Sequence, residues 1–219
     1  MTPANIVNMA KIKGLDVIAL TDHNSCRNCP AIMEEGRKRG LTVIPGMELS
    51  TQEEVHVVCL FPSLETAMAF DSYVYGRLMP FPNREDIFGR QLVYNEDDEV
   101  SGKVEYLLIN STDISFDDVH ELVTSYGGIM IPAHINKSSN SLLNNLGFVP
   151  PDSKFTCVEV DNRSMIPELT EDNPYLKDCR FICNSDAHYL EKIHENTEFL
   201  EVEELTAEAV LAALGAADR

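Results

Sequence analysis

Repeated strand–helix units predict an α/β fold, and the placing of ligand-type side chains tips that fold toward a parallel barrel. Short apolar runs alternate with amphipathic helical stretches along most of the chain. Five segments then end an apolar run on imidazole or carboxylate: Thr21-Asp22-His23, Gly46-Met47-Glu48, Val55-His56, Ala133-His134 and Ser185-Asp186-Ala187-His188. An open sheet gathers its site at one switch point, whereas donors from at least five strands converge most simply around a ring of strand ends.

Thr2-Pro3 reads as an N-cap and first helical residue, and Ile6, Val7, Met9, Ala10 and Ile12 give a helical apolar face ending near Gly14. Residues 16–20 form a buried strand, 30–39 a helix closed by Gly40, and 41–45 another buried strand. Residues 54–61 alternate toward a strand. Ser63 then caps a helix running through Met68, Phe70 and Val74 to about Leu78.

Residues 79–114 break the alternation, with Pro80, Pro82 and the acidic turn Asn95-Glu96-Asp97-Asp98-Glu99 between segments able to form a hairpin. They read as an insertion over one barrel rim, with Asp97, Asp98 and Glu99 on a solvated turn. Regular order resumes with a helix over 116–126, Gly127-Gly128, and a strand over 129–132 leading into His134. A short helix over 141–146, strands over 156–160, 180–183 and near 198–202, and a closing helix from Thr206 to about Ala216 complete a single domain over 1–219.

Composition narrows the function. The 36 acidic against 17 basic residues leave a net charge of −19, so the average surface repels long nucleic acid and anionic lipid. Bound divalent cations would offset this locally, so a small phosphate ester stays admissible. No apolar stretch approaches membrane-spanning length and the N-terminus lacks a secretory apolar core, which together predict a cytoplasmic protein. The six cysteines, including the C-x-x-C pair Cys26 and Cys29, lack the spacing of a disulfide scaffold and read as reduced thiols.

The ordered set Thr21-Asp22-His23-Asn24, Pro45-Gly46-Met47-Glu48 with Val55-His56, Pro132-Ala133-His134, and Asn184-Ser185-Asp186-Ala187-His188 resembles the motifs of the polymerase and histidinol phosphatase (PHP) family. The resemblance spans nearly the whole chain. It implies a distorted (β/α)7 TIM-like barrel holding up to three divalent metals. By that resemblance Glu48 bridges two metals, His56 and His134 complete one site with it, Asp186 joins Glu48 on the second, and His23 and His188 bind the third. Asp22 would orient a ligand from behind. Imidazole-rich donors favour Zn, Mn or Fe over Mg.

The family's first motif, an H-x-H closing the first strand, has no counterpart, since no His precedes His23. The expectation is that a first strand and loop of roughly 15–20 residues are missing upstream. Either an internal methionine has been taken as the start, or the chain is shortened or degenerate. Only the Glu48, His56 and His134 site would then keep its full protein ligand set.

The resemblance implies a metal-dependent phosphoesterase in which metal-activated water attacks a nucleotide, a phosphorylated metabolite or a short oligonucleotide end. Asp186 or His188 would handle a proton, and Arg27 and Lys137, close in sequence to ligands, would steady the phosphate. The alternatives are a noncatalytic, degenerate module with a structural or partner-binding role, and a metal-dependent amidohydrolase. His120 and His194 read as surface residues, and Glu159, which also ends a strand, could line the pocket.

Overall fold

The structure, a computed structural model, describes residues 1–216. In chain order the elements are α1 (Pro3–Ile12), β1 (Val17–Leu20), α2 (Cys29–Arg39), β2 (Thr42–Ser50), β3 (His56–Leu60), α3 (Leu64–Tyr75) and α4 (Glu85–Phe88). There follow β4 (Leu92–Tyr94), β5 (Val100–Lys103), α5 (Phe116–Ser125), β6 (Ile129–Pro132), α6 (Leu142–Leu146), β7 (Cys157–Glu159), α7 (Ile166–Asp172), β8 (Arg180–Ile182) and α8 (Ala207–Gly215).

The main sheet has the order β1-β2-β3-β6, and it is mixed: β1 and β2 run parallel, while β2–β3 and β3–β6 are antiparallel. The connection over residues 51–55 is far too short for a parallel crossover, which needs a dozen residues or more, so a hairpin is forced. A second pair, β7 and β8, is parallel and adjoins the end of β6 through the Ile135 N–H to Glu159 carbonyl bond of 2.9 Å. Among the described residues no strand pairing closes this assembly; the fold is mixed α/β, and where the sequence suggested a parallel barrel lacking its first strand, β3 runs antiparallel to both of its neighbours.

Side-chain alternation sorts the strands' two faces. Met47, Leu49, Val57, Cys59 and Met130 pack with Phe61, Phe70 and Val119 of the largest apolar cluster. Ile44, Leu60 and Ile131 meet Val210, Leu211 and Leu214 of α8 instead. A third cluster joins Val7 and Ala10 of α1 to Ile32 and Val43. At Gly46 the hairpin strands approach so closely that an added Cβ would lie 2.6 Å from the Cys59 carbonyl oxygen. The Gly46 carbonyl in turn accepts from both Cys26 Sγ at 3.2 Å and Cys29 Sγ at 3.6 Å. All six cysteines are free, Cys26 and Cys29 are fully buried, and the hydrogen bond with Cys29, reinforced by burial, pushes the Cys26 thiol far up, which disfavours its thiolate.

Local expectations fare unevenly. Ser63 and Thr206 cap α3 and α8 as expected, and Gly40 closes α2 at φ +63°. Residues 198–202 form no strand: Leu200 and Val202 pack against the α8 cluster without joining a ladder, and Phe199 lies outside. The 79–114 segment contains the β4–β5 hairpin and leans on the rest of the molecule. Its acidic turn is not simply solvated. Asp98 accepts from Thr2 Oγ1 at 2.6 Å and from Ala4 N at 3.0 Å, placing an anion on the N-terminus of α1, so the helix is capped from the hairpin and not by Thr2.

Candidate metal centre

Glu48 and His56 reach one pocket because their hairpin register puts them on the same face. Glu48 lies opposite Val58, and His56, opposite Ser50, is its diagonal neighbour. Since β3 runs antiparallel to β2, the first residue of β3 sits beside the last residues of β2; His56 therefore opens the strand read over residues 54–61 and does not serve as the end of the short apolar run before it. His23 pairs with Glu48 in a parallel bridge that extends β1, and His134 follows Ala133 just beyond the end of β6.

Three imidazoles surround the buried Glu48 carboxylate. His56 Nδ1 and His134 Nε2 stand 3.1 and 3.2 Å from Oε1, and His23 Nδ1 stands 3.2 Å from Oε2. Burial alone would raise the Glu48 pKa, but hydrogen bonds from His134 and His56, with the charge of His56 and His23, outweigh it and hold the carboxyl far below its ordinary range. Burial likewise holds His23 below the ordinary value of 6.5; the rings of His56 and His188 add to this, and Glu48 and Asp186 oppose it.

These donors fit a cation. Two donors each about 2.1 Å from one ion, at octahedral to tetrahedral angles, lie about 3.0–3.4 Å apart, which matches the separations around Glu48. The His23 Nδ1 atom is buried and, despite its nearness to Oε2, lacks a hydrogen-bond partner, as does His134 Nδ1. A lone pair directed at an ion would satisfy the first of these. One ligand atom from each of His23, Glu48 and His56 lies within 4.8 Å of the others. The geometry thus brings His23 into the Glu48 group, where the resemblance set it apart with His188; the His23 and His188 ring centroids are 6.0 Å apart.

The loop side is differently built. Asp186 Oδ2 receives Lys137 Nζ at 2.5 Å, while His188 Nδ1 donates to the Asp186 carbonyl at 2.9 Å and its ring is largely exposed. Asp22 directs its carboxylate to the Asn28 amide at 3.0 Å rather than to an imidazole, and its carbonyl accepts from Glu48 N. Burial, opposed by that Asn28 bond, raises the Asp22 pKa. Arg27 lies over the Tyr75 ring, 4.1 Å from its centroid, with Nε 3.4 Å from Asp71.

Asn140 and the role of Asn24 escaped the sequence reading, whereas Glu159 was read there as able to line the pocket. Asn140 contacts His56 Nε2 at 3.0 Å, and buried Glu159 accepts from His134 N at 3.1 Å. Burial raises the Glu159 pKa against hydrogen bonds from His134 and Asn184. Asn24 accepts from Ser50 N and donates to the Leu108 and Asn110 carbonyls, fastening the insertion beside the pocket. Asn24, His134, Asn140 and Asp186 all hold positive φ, between +30° and +53°. Such backbone is costly for non-glycine residues and characteristic of functional loops. The one signal in the sequence was the turn-forming Ser138-Ser139-Asn140 before the Ser141 cap.

Comparisons with known proteins follow the same lines. A 51-residue stretch is 39% identical to the uncharacterized protein MJ1587 of Methanocaldococcus jannaschii, covering 23% of this chain and 30% of that protein. The fold is similar to that of the lesion-specific endonuclease PfuEndoQ from Pyrococcus furiosus, with TM-score 0.66 and 20% identity over 100% of this chain and 52% of that one. Endonuclease Q in complex with a 27-mer duplex carrying an abasic lesion at the active site gives 0.65 and 20%, over 98% and 51% of the two chains. A proposed metal-dependent phosphoesterase from Bifidobacterium adolescentis gives 0.58 and 19%, over 98% and 91%.

At these identities the structural likeness is one of fold, and the chain spans about half the length of endonuclease Q. The sequence-based exclusion of long nucleic acid rests on net charge alone, which describes an average surface and not the mouth of a site, and these comparisons lend it no support. The PHP domain family matches residues 1–137, more than half of the 219, and the chain belongs to that family.

Proposed function

We propose that this protein is a metal-dependent phosphoesterase acting on a small phosphate ester, such as a nucleotide or phosphorylated metabolite. The observation that carries this reading is the convergence of three imidazoles on the buried Glu48 carboxylate, with donor separations of 3.1–3.2 Å. Glu48, His23, His56 and His134 would hold a divalent cation of the Zn, Mn or Fe type. When bound, such an ion supplies polarisation of phosphoryl oxygens and acidification of water.

The chain's own residues do the rest. A carbonyl can only accept, so His188 Nδ1 carries the hydrogen in its bond to Asp186, and Nε2 is the ring nitrogen left available for proton exchange. Nε2 is the atom that takes a proton from attacking water and returns one to the leaving oxygen. Lys137 spends one N–H on Asp186 and has two more for phosphoryl oxygens. Six free cysteines suit a reducing compartment, in keeping with a cytoplasmic site of action; no described helix is long and apolar enough to cross a membrane.

The test is phosphate release from p-nitrophenyl phosphate and a panel of nucleoside monophosphates by protein loaded with Mn²⁺ or Zn²⁺, alongside Glu48→Gln. Release that depends on metal and on Glu48 supports the reading. Metal uptake without release from any ester would replace it with a noncatalytic metal-holding module.

A further inference from the structure

We infer that the Lys137 ammonium takes the place of a second metal ion beside Asp186, so that the pocket holds one cation on Glu48 and its imidazoles. The inference rests on the metal-dependent reading above. Three observations separate Asp186 from the converging donors. Its Oδ2 is already engaged by Lys137 Nζ at 2.5 Å, a short, charge-assisted contact between two half-buried side chains. Its Oδ1 lies 3.7 Å from His188 Nδ1, and that nitrogen is directed to the Asp186 carbonyl instead. The group whose ligand atoms gather within 4.8 Å comprises His23, Glu48 and His56; Asp186 lies outside it, as does His134, but His134 Nε2 stands 3.2 Å from Glu48 whereas Asp186 Oδ2 is turned to Lys137.

The lysine is also held in place from its backbone. Lys137 N donates to the His134 carbonyl at 2.9 Å, and the Lys137 carbonyl accepts from Ser141 Oγ at 2.6 Å. The segment that carries the ligand His134 thus delivers the ammonium to Asp186. A dication entering at Asp186 would have to displace a fixed positive charge and then sit close to it, and both steps oppose binding. The ammonium leaves the same electrostatic clamp for a phosphoryl oxygen that a second ion would offer, with a single charge.

Bound Mn²⁺ is counted by atomic emission after dialysis, and affinities are measured by titration calorimetry, for the wild-type chain, Lys137→Met, Lys137→Arg, Asp186→Asn and the Lys137→Met/Asp186→Asn double variant, with circular dichroism checking each fold. The wild type, Lys137→Arg and Asp186→Asn are expected to bind one equivalent with Kd values within about threefold of each other, where loss of a ligand would cost about tenfold or more. Lys137→Met should gain a second equivalent that the double variant loses. A tenfold weakening in Asp186→Asn, a second equivalent already in the wild type, or no gain in Lys137→Met overturns the inference while leaving the metal-dependent reading intact. A wild-type chain that binds no metal overturns both.

Discussion

The two halves of the pocket are made of different material. Glu48, His56 and His134 are buried and stand on or directly beside paired strands, their positions dictated by ladder register. Asp186 and His188 stand on the loop after β8, half-buried or exposed, and are held by each other, by a lysine and by a left-handed backbone at Asp186. The contrast teaches that, on the proposed reading, the sheet side would organise a cation before any ligand arrives, whereas the loop side would serve charge and proton handling.

Breaking the sheet side should have the largest effect. Glu48→Gln removes the one anion that three imidazoles share, and metal affinity is expected to fall by about 100-fold or more in calorimetry. On the loop side, His188→Gln should separate binding from turnover: metal affinity changes by less than about tenfold, while kcat falls by about 100-fold, as for loss of a general acid–base group. Equal losses of affinity in both variants would erase the distinction between the halves.

Smaller effects sharpen it. Gly46→Ala forces a Cβ to within 2.6 Å of the Cys59 carbonyl, and overpacking there should cost about 1–3 kcal/mol in denaturant unfolding. Because Glu48 lies two residues further along β2, metal affinity should weaken with it.

The gentlest probe is pH. His23 has its pKa lowered from 6.5, so below that value the unfolded chain binds a proton that the folded ring resists. This contribution is fully present above about pH 6.5 and is lost as pH falls toward the folded value. The Tm of metal-free protein should therefore drop between pH 7.5 and 5.5, and His23→Gln should flatten that slope. Glu48, held low in the folded state, acts in a separate window: its contribution is present above the ordinary carboxyl range near 4.3 and is lost only at more acid pH.

Much of the sheet side was legible in the sequence, because short apolar runs ending near His23, Glu48 and His134 carry their own signal. Strand direction was not, since a buried run reads alike in either orientation; only the five-residue link before His56 betrayed the antiparallel turn. The pairing of Lys137 with Asp186, 49 residues apart, and the service of Asn140 to His56, 84 apart, are products of tertiary approach without local pattern. Residues 198–202 misled for the opposite reason: their alternation reflects packing of Leu200 and Val202 on α8, and periodicity cannot distinguish that from a ladder.

The hairpin that joins β2 to β3 has a kinetic corollary. Glu48 and His56 are eight positions apart and linked by a short turn, so bringing them together costs little loop-closure entropy and falls on the microsecond scale of hairpin formation. His134, 86 positions from Glu48, must wait for the chain to travel much further. These two neighbours are thus the first of the set to meet as the polypeptide folds, and a cation captured there would serve as a template on which the distant histidine is later seated.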